Sequence, residues 1–219
     1  MIRKHHGARP AAVWAAASAL LLTACGGAGG GDGNGAPALS AEEIRAVLPD
    51  REALPGWQES GEPLVVEKRA AYQQKACPTT EFRGCEGSRG YGLARFRGGD
   101  GGRVVVNYQI TGYRDERAAD AAYDVLWKEH YGRAGGPDAR KLDVGEPGDE
   151  SHARFGTAGS GGPLALVQVR VGTTLLVIDA SGVREGDVDA ALAEDLTGVV
   201  TERARQALNG DTPAGRLGG

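Results

Sequence analysis

The sequence predicts an α+β domain, an antiparallel β-sheet with helices packed on one face. Three observations lead there. Two segments alternate with period two around glycine-bearing turns, so each reads as a β-hairpin, at 91–110 and 164–181. In each hairpin one face is apolar throughout and the other is mixed, the pattern of a sheet covered on one side. Each hairpin then runs into an amphipathic helix with an acidic N-cap. The chain thus uses a hairpin-then-helix unit twice, at 89–131 and 164–208.

The elements follow in order. Ser40-Ala41-Glu42-Glu43 is a capping box, with Leu39 and Ile44 as its hydrophobic staple. Ile44, Val47 and Leu48 share one face of a short helix that Pro49 closes. Leu54-Pro55-Gly56-Trp57 is a turn into a strand that Leu64-Val65-Val66 continues, and Arg69 to Ala76 forms one or two helical turns before Cys77. In the first hairpin, Tyr91–Arg97 and Arg103–Ile110 flank Gly98-Gly99-Asp100-Gly101-Gly102. Setting Phe96 opposite Val104 places Ala94 opposite Val106 and Gly92 opposite Tyr108 on the apolar face. The mixed face then pairs Arg95 with Val105, Leu93 with Asn107 and Tyr91 with Gln109. Asp115 caps the next helix, whose stripe is Ala118, Ala122, Val125, Leu126 and Trp127, and Gly132 ends it. Residues 133–139 are a linker, and Leu142–Val144 and Ser151–Phe155 read as strands. In the second hairpin Gly172-Thr173 is the turn, so Val171 faces Thr174, Val169 faces Leu176, Val167 faces Ile178 and Ala165 faces Ala180. Its mixed face pairs Arg170 with Leu175, Gln168 with Val177 and Leu166 with Asp179. Asp187 is the N-cap expected for the last helix, which carries Val188, Leu192, Leu196, Val199, Arg203 and Ala207 at helical spacing up to Asn209-Gly210.

Ahead of this domain, Arg3, Lys4 and Arg9 precede an apolar run from Ala11 to Leu22. That run is too short to span a bilayer and matches the core of a secretory signal. Leu22-Thr23-Ala24-Cys25 resembles the lipobox of bacterial lipoproteins at all four positions. The resemblance implies a diacylglyceryl group on the Cys25 thiol and cleavage before it. The competing reading is an ordinary signal peptide whose small-residue site happens to precede a cysteine. The expected organisation is a signal peptide over 1–24, a lipidated Cys25 with a flexible glycine-rich linker over 25–38, one domain over 39–209, and a disordered tail over 210–219. The expected location is the outer, extracytoplasmic face of the cell membrane, held by the lipid. The glycine-rich stretch is not a phosphate loop, because no strand precedes it and no Lys-Ser/Thr follows.

Removing residues 1–24 leaves 22 basic against 29 acidic residues. That balance argues against nucleic acid as a partner and against polybasic contact with anionic lipid. Arginines far outnumber lysines and Ala and Gly abound, the bias of GC-rich genomes such as those of actinobacteria. With Cys25 lipidated, Cys77 and Cys85 remain as an even pair outside the cytoplasm, and a disulfide is the default. A zinc site would need His130 and His152, both distant in sequence, so neither metal nor cofactor is expected. Neither Ser88 nor Ser160 stands in a G-x-S-x-G elbow. Glu185, Asp187 and Asp189 lie where the positive end of a helix stabilises acids. No catalytic set is identified, and a hydrolytic enzyme ranks last among the functional readings.

Leu54-Pro55-Gly56-Trp57, the Cys77/Cys85 loop, an alanine-rich helix and Val169-Arg170-Val171-Gly172-Thr173 stand in an order that resembles actinobacterial lipoproteins related to the extracellular sensor domain of mycobacterial receptor serine/threonine kinases. The resemblance covers roughly 40–208 and implies an α+β domain with a cleft and a disulfide-stabilised surface. Only Cys77 and Cys85 carry over, as one bridge where the kinase sensors carry more. The leading functional expectation is a ligand-binding or sensor-like module for a small-molecule or lipid ligand. The alternative is a module that docks with another cell-envelope protein. For either, Tyr91, Gln109, Gln168 and Arg170 are the candidate residues, projecting from the mixed face away from the helices. Cys25→Ala is expected to move the protein from the membrane fraction to the soluble fraction of cells. Its retention on membranes would contradict the lipid anchor.

Overall fold

A computed structural model describes residues 37–218. Contacts divide the chain between Gly33 and Asn34, and the described residues belong to the second unit. The expected signal peptide over 1–24, Cys25 and most of the expected linker lie outside the described residues.

The elements are α1 (Ala41–Val47), β1 (Gln58–Glu59), β2 (Leu64–Val66), α2 (Arg69–Ala76), β3 (Ser88–Gly98), β4 (Val104–Tyr113), α3 (Glu116–Glu129), β5 (Arg140–Lys141), β6 (Glu150–Thr157), β7 (Pro163–Val171), β8 (Thr174–Ser181) and α4 (Ala190–Leu208). All eight strands form one antiparallel sheet. Its order is β3-β4-β8-β7-β6-β5, with β1 and β2 both paired to the outer side of β3. The two hairpins meet at the centre, where β4 pairs with β8.

The α+β class and both hairpin-then-helix units are present, but the helices do not share one face. The apolar face packs on α1 and α4 around Ile44, Phe96, Val106, Ile110, Val167, Leu176, Ile178, Leu196 and Val200. The mixed face carries α2 and α3 over a second core of Tyr72, Tyr91, Tyr113, Tyr123, Leu126, Leu166, Leu175 and Val177. The physical reason lies along the strands. Toward the β7–β8 turn this face is apolar enough to bury a helix, and only its other half is polar. Each large side chain buried there contributes on the order of 1.5–3 kcal/mol.

The second hairpin has the expected register, with Val169 opposite Leu176 and Ala165 opposite Ala180. The first is shifted by two residues: Phe96 faces Val106 and Ala94 faces Tyr108. A shift of two preserves the faces. Strand β3 runs on to Gly98, where a Cβ would collide with the Trp57 ring, so the turn begins one residue later. The capping box at Ser40 and Glu43 and the N-cap at Asp115 form as expected. Asp189, not Asp187, caps α4. Asp187 instead accepts from the backbone N–H of Val183 and Arg184 and pairs with Arg103 at 2.9 Å, closing the loop before the helix.

The tail, expected to be disordered, is docked. Leu217 N–H donates to Ala53 O at 2.8 Å, Ala214 N–H donates to the Gln206 side chain, and Leu217 packs against the first core. Arg203 holds this corner together. It is 6% exposed, and its guanidinium donates to the carbonyls of Ala46, Val47 and Leu48, which end α1, to Gly215 O, and to Asp50. The α1 carbonyls lack intrahelical partners, so this side chain acts as a C-cap from a distant helix. Arg203→Met should cost about 3 kcal/mol by urea unfolding, because it leaves several buried carbonyls without donors.

Candidate functional site

The mixed face is divided by α3. Ala119, Ala122, Tyr123 and Leu126 of this helix lie against its lower half, and α2 extends the cover. Tyr72 stacks on Tyr91 at 5.8 Å and donates to Ser88 Oγ at 3.1 Å. The Cys77–Cys85 disulfide forms beside them, with Cα atoms 5.7 Å apart.

Of the four candidate residues, three are committed to this covered region. Tyr91 is 1% exposed and donates to Gln109 Oε1 at 3.1 Å. Gln168 is fully buried, donates to Tyr123 O at 2.8 Å, and its Oε1 meets no donor among the described residues. Arg170 pairs with Glu150 at 2.6 Å and Asp149 at 3.2 Å. Tyr91 and Gln168 are not a solvent face as expected, because α2 covers the first and α3 the second, and ion pairs hold Arg170 half-buried. Gln109 lies on the border of the covered region, half-buried.

Beyond that border the same sheet face is more open, with Arg95 exposed and Asn107 and Asp179 half-buried. One row crosses the three central strands: Arg95 opposite Asn107 on β3 and β4, and Asn107 opposite Asp179 on β4 and β8. Arg95 Nε donates to Asn107 Oδ1 at 2.7 Å. Leu93, Val105 and Ser181 are half-buried around the row, and Leu64 is 40% exposed at its edge. Asp179 stands out. It follows Leu175-Leu176-Val177-Ile178 in its strand, its carboxylate accepts no hydrogen bond from the described residues, and burial pushes its carboxyl above the usual carboxylate range against the opposing pull of Arg95. An acid inside such a strand is the signal that could have marked the site, since strands disfavour Asp. A partly desolvated carboxylate without donors can receive an N–H or O–H donor, or a cation, from a bound molecule.

Two grooves flank α3 with opposite charge. One, of about 600 Å³, is lined by Asp124, Glu146, Asp149, Glu150 and His152. The other, of about 540 Å³, is lined by Arg83, Arg114, Arg117 and small side chains of α3. The histidines have local roles. His152 stacks on Tyr123 at 5.1 Å and Trp127 at 4.9 Å, and His130 stands edge-on to Tyr131, where desolvation lowers its pKa. Neither is hydrogen-bonded to an acid among the described residues. Ser88 Oγ donates to Cys85 O, and Ser160 is exposed in a turn. No group of three metal-ligating side chains comes together among the described residues, and none of their helices is long and apolar enough to cross a membrane.

The structure matches the crystal structure of the extracellular domain of PknH from Mycobacterium tuberculosis, with a TM-score of 0.53 at 12% sequence identity, over 81% of this chain and 100% of that one. The two share a fold. The likeness to the PknH domain takes in the whole of that domain, and it bears out the resemblance drawn from the sequence at the level of fold. No family model matches the chain, and no curated protein matches it.

Asp179→Asn is expected to raise the melting temperature near pH 7. The sign follows from the raised pKa: the folded protein disfavours the ionised carboxylate, so wild type gains stability as pH falls through the folded pKa. At about pH 3 both side chains are neutral and the two melting temperatures should converge.

Proposed function

We propose that this chain is a membrane-anchored extracytoplasmic lipoprotein whose domain is a ligand-binding, sensor-like module, and that the ligand sits on the more open half of the sheet around Asp179. The observation that carries the reading is the fold shared with the extracellular domain of PknH. The lipobox at Leu22–Cys25 supports the anchor. The disulfide fits an oxidising compartment outside the cytoplasm.

The chemistry of the row narrows the ligand. Asp179 offers an acceptor and Arg95 a guanidinium two strands apart in one row, with Asn107 between them, so a polar molecule carrying both a donor and an acceptor group is complementary. The second reading, docking of an envelope protein on the same face, is favoured by the exposed Leu64 at its edge.

Native mass spectrometry of residues 34–219, secreted from a GC-rich Gram-positive host, tests the choice. The ligand reading predicts a co-purifying mass of a polar molecule that is lost in Asp179→Ala and in Arg95→Ala. A bare monomer mass for wild type would contradict it and favour protein docking.

A further inference from the structure

We propose that the acidic groove between α3 and the segment leading into β6 is a binding site for a polyamine, an alkyl chain carrying two or more ammonium groups. The groove shares no residue with the row around Asp179, and the inference does not depend on that reading.

The first observation is an excess of negative charge that the surroundings do not cancel. Asp124 comes from α3, Glu146 and Asp149 from the segment ahead of β6, and Glu150 opens that strand. Arg170 pairs with Asp149 at 3.2 Å and with Glu150 at 2.6 Å. Arg205 of α4 donates to Pro147 O beside them. Two arginines thus meet four carboxylates, and Asp120, one turn before Asp124 on α3, adds a further acid acting on Arg170. Asp124 and Glu146 make no hydrogen bond or ion pair among the described residues.

The second observation is Tyr123, which also lines the groove and stacks on His152 at 5.1 Å. It is 2% exposed, yet its phenol makes no hydrogen bond among the described residues. Nor is that oxygen among the sealed, unpartnered ones of the interior, which belong to Tyr108, Gln168, Thr174 and Thr201. The hydroxyl therefore opens into the groove. Burial, then the charges of Glu150 and Asp124, raise its pKa against the pull of Arg170, so the phenol stays protonated and sits among the groove's charged groups. Buried polar groups are normally partnered. Here the open position is an acceptor among carboxylates, which suits the N–H of a cation.

The third observation is how the carboxylates are held. Gly148 lies flat against β7, where a Cβ would come within 2.4 Å of Arg170 O. Asp149 N–H donates to Arg170 O at 2.8 Å, and the Asp149 carboxylate accepts from Gly172 N–H at 2.7 Å. The acid-bearing segment is thus placed before a ligand arrives, which lowers the ordering cost of binding. Its acids do not converge, since no three metal-ligating side chains come together among the described residues. The groove therefore does not cage a compact metal ion. Unpaired carboxylates set apart on two walls, with a phenol acceptor between, match positive charges that are themselves set apart along a chain.

Both cores draw their residues from 39–217, so residues 34–219 carry the whole fold and serve for the test. Titration with spermidine at low salt, followed by amide NMR, should give saturable shifts at Asp124 and over 146–152. Butylamine, with one ammonium group, should bind at least fivefold more weakly. Asp124→Asn and Glu146→Gln should each weaken spermidine binding about two- to fivefold. Tyr123→Phe keeps the ring and breaks no described hydrogen bond. It should weaken binding about fivefold at an unchanged melting temperature. Asp179→Ala should leave spermidine binding as in wild type, which separates this site from the ligand reading above. Magnesium chloride that shifts the same amides with equal affinity, or a Tyr123→Phe variant that binds as wild type does, overturns the proposal and leaves a solvated acidic face. Binding of trilysine without binding of spermidine also overturns it and assigns the groove to a basic protein segment.

Discussion

The antiparallel pairing of β4 with β8 joins two hairpins into one sheet, and the rest of the molecule follows from it. It lines up Ile110 with Leu176 and Val106 with Ala180 on one face, which gives α1 and α4 a continuous apolar floor. On the other face it sets Thr111 beside Leu175 and Asn107 beside Asp179. One half of that face can bury a helix and the other cannot. It also brings Tyr113 to Thr173, and through Thr173 to Pro37, so it fixes where the linker meets the domain. A sheet built from long-range pairs of this kind forms late relative to its hairpins, since loop closure between distant segments must precede the contacts that reward it.

Much of this was legible in the sequence, and the remainder was hidden for identifiable reasons. Period two showed which residues share a face, and a two-residue turn at Gly172-Thr173 pinned one register. The five-residue stretch Gly98–Gly102 could not pin the other, because a run of glycines leaves open where the turn begins, and β3 runs on to pair Gly98 with Val104. The mixed faces were read strand by strand as averages. Their division into an apolar half and a polar half appears only when four strands are set side by side, so Tyr91 and Gln168 read as exposed when α2 covers the first and α3 the second. Asp179 carried a local signal, an acid within an aliphatic strand, that the search for paired acids passed over. The tail reads as polar and glycine-bearing, and its docking depends on Arg203, which looked like one position in a helical stripe.

Helix α3 does more than cover the sheet. Its alanines let it lie close to the second core, and its ends and flanks separate two grooves of opposite charge. The open half of the sheet begins past its covered residues, at Gln109.

The central claim is that Asp179 stands on an open sheet face, desolvated and without a hydrogen-bond donor. The most direct measurement is the pH titration of its side-chain carboxyl ¹³C resonance, assigned by comparison with Asp179→Asn. The account predicts a midpoint above that of the other aspartates in the domain, and above that of Asp115 in particular, whose capping bond lowers its pKa. A midpoint for Asp179 in or below the ordinary aspartate range would mean that donors already satisfy the carboxylate, and would contradict the account.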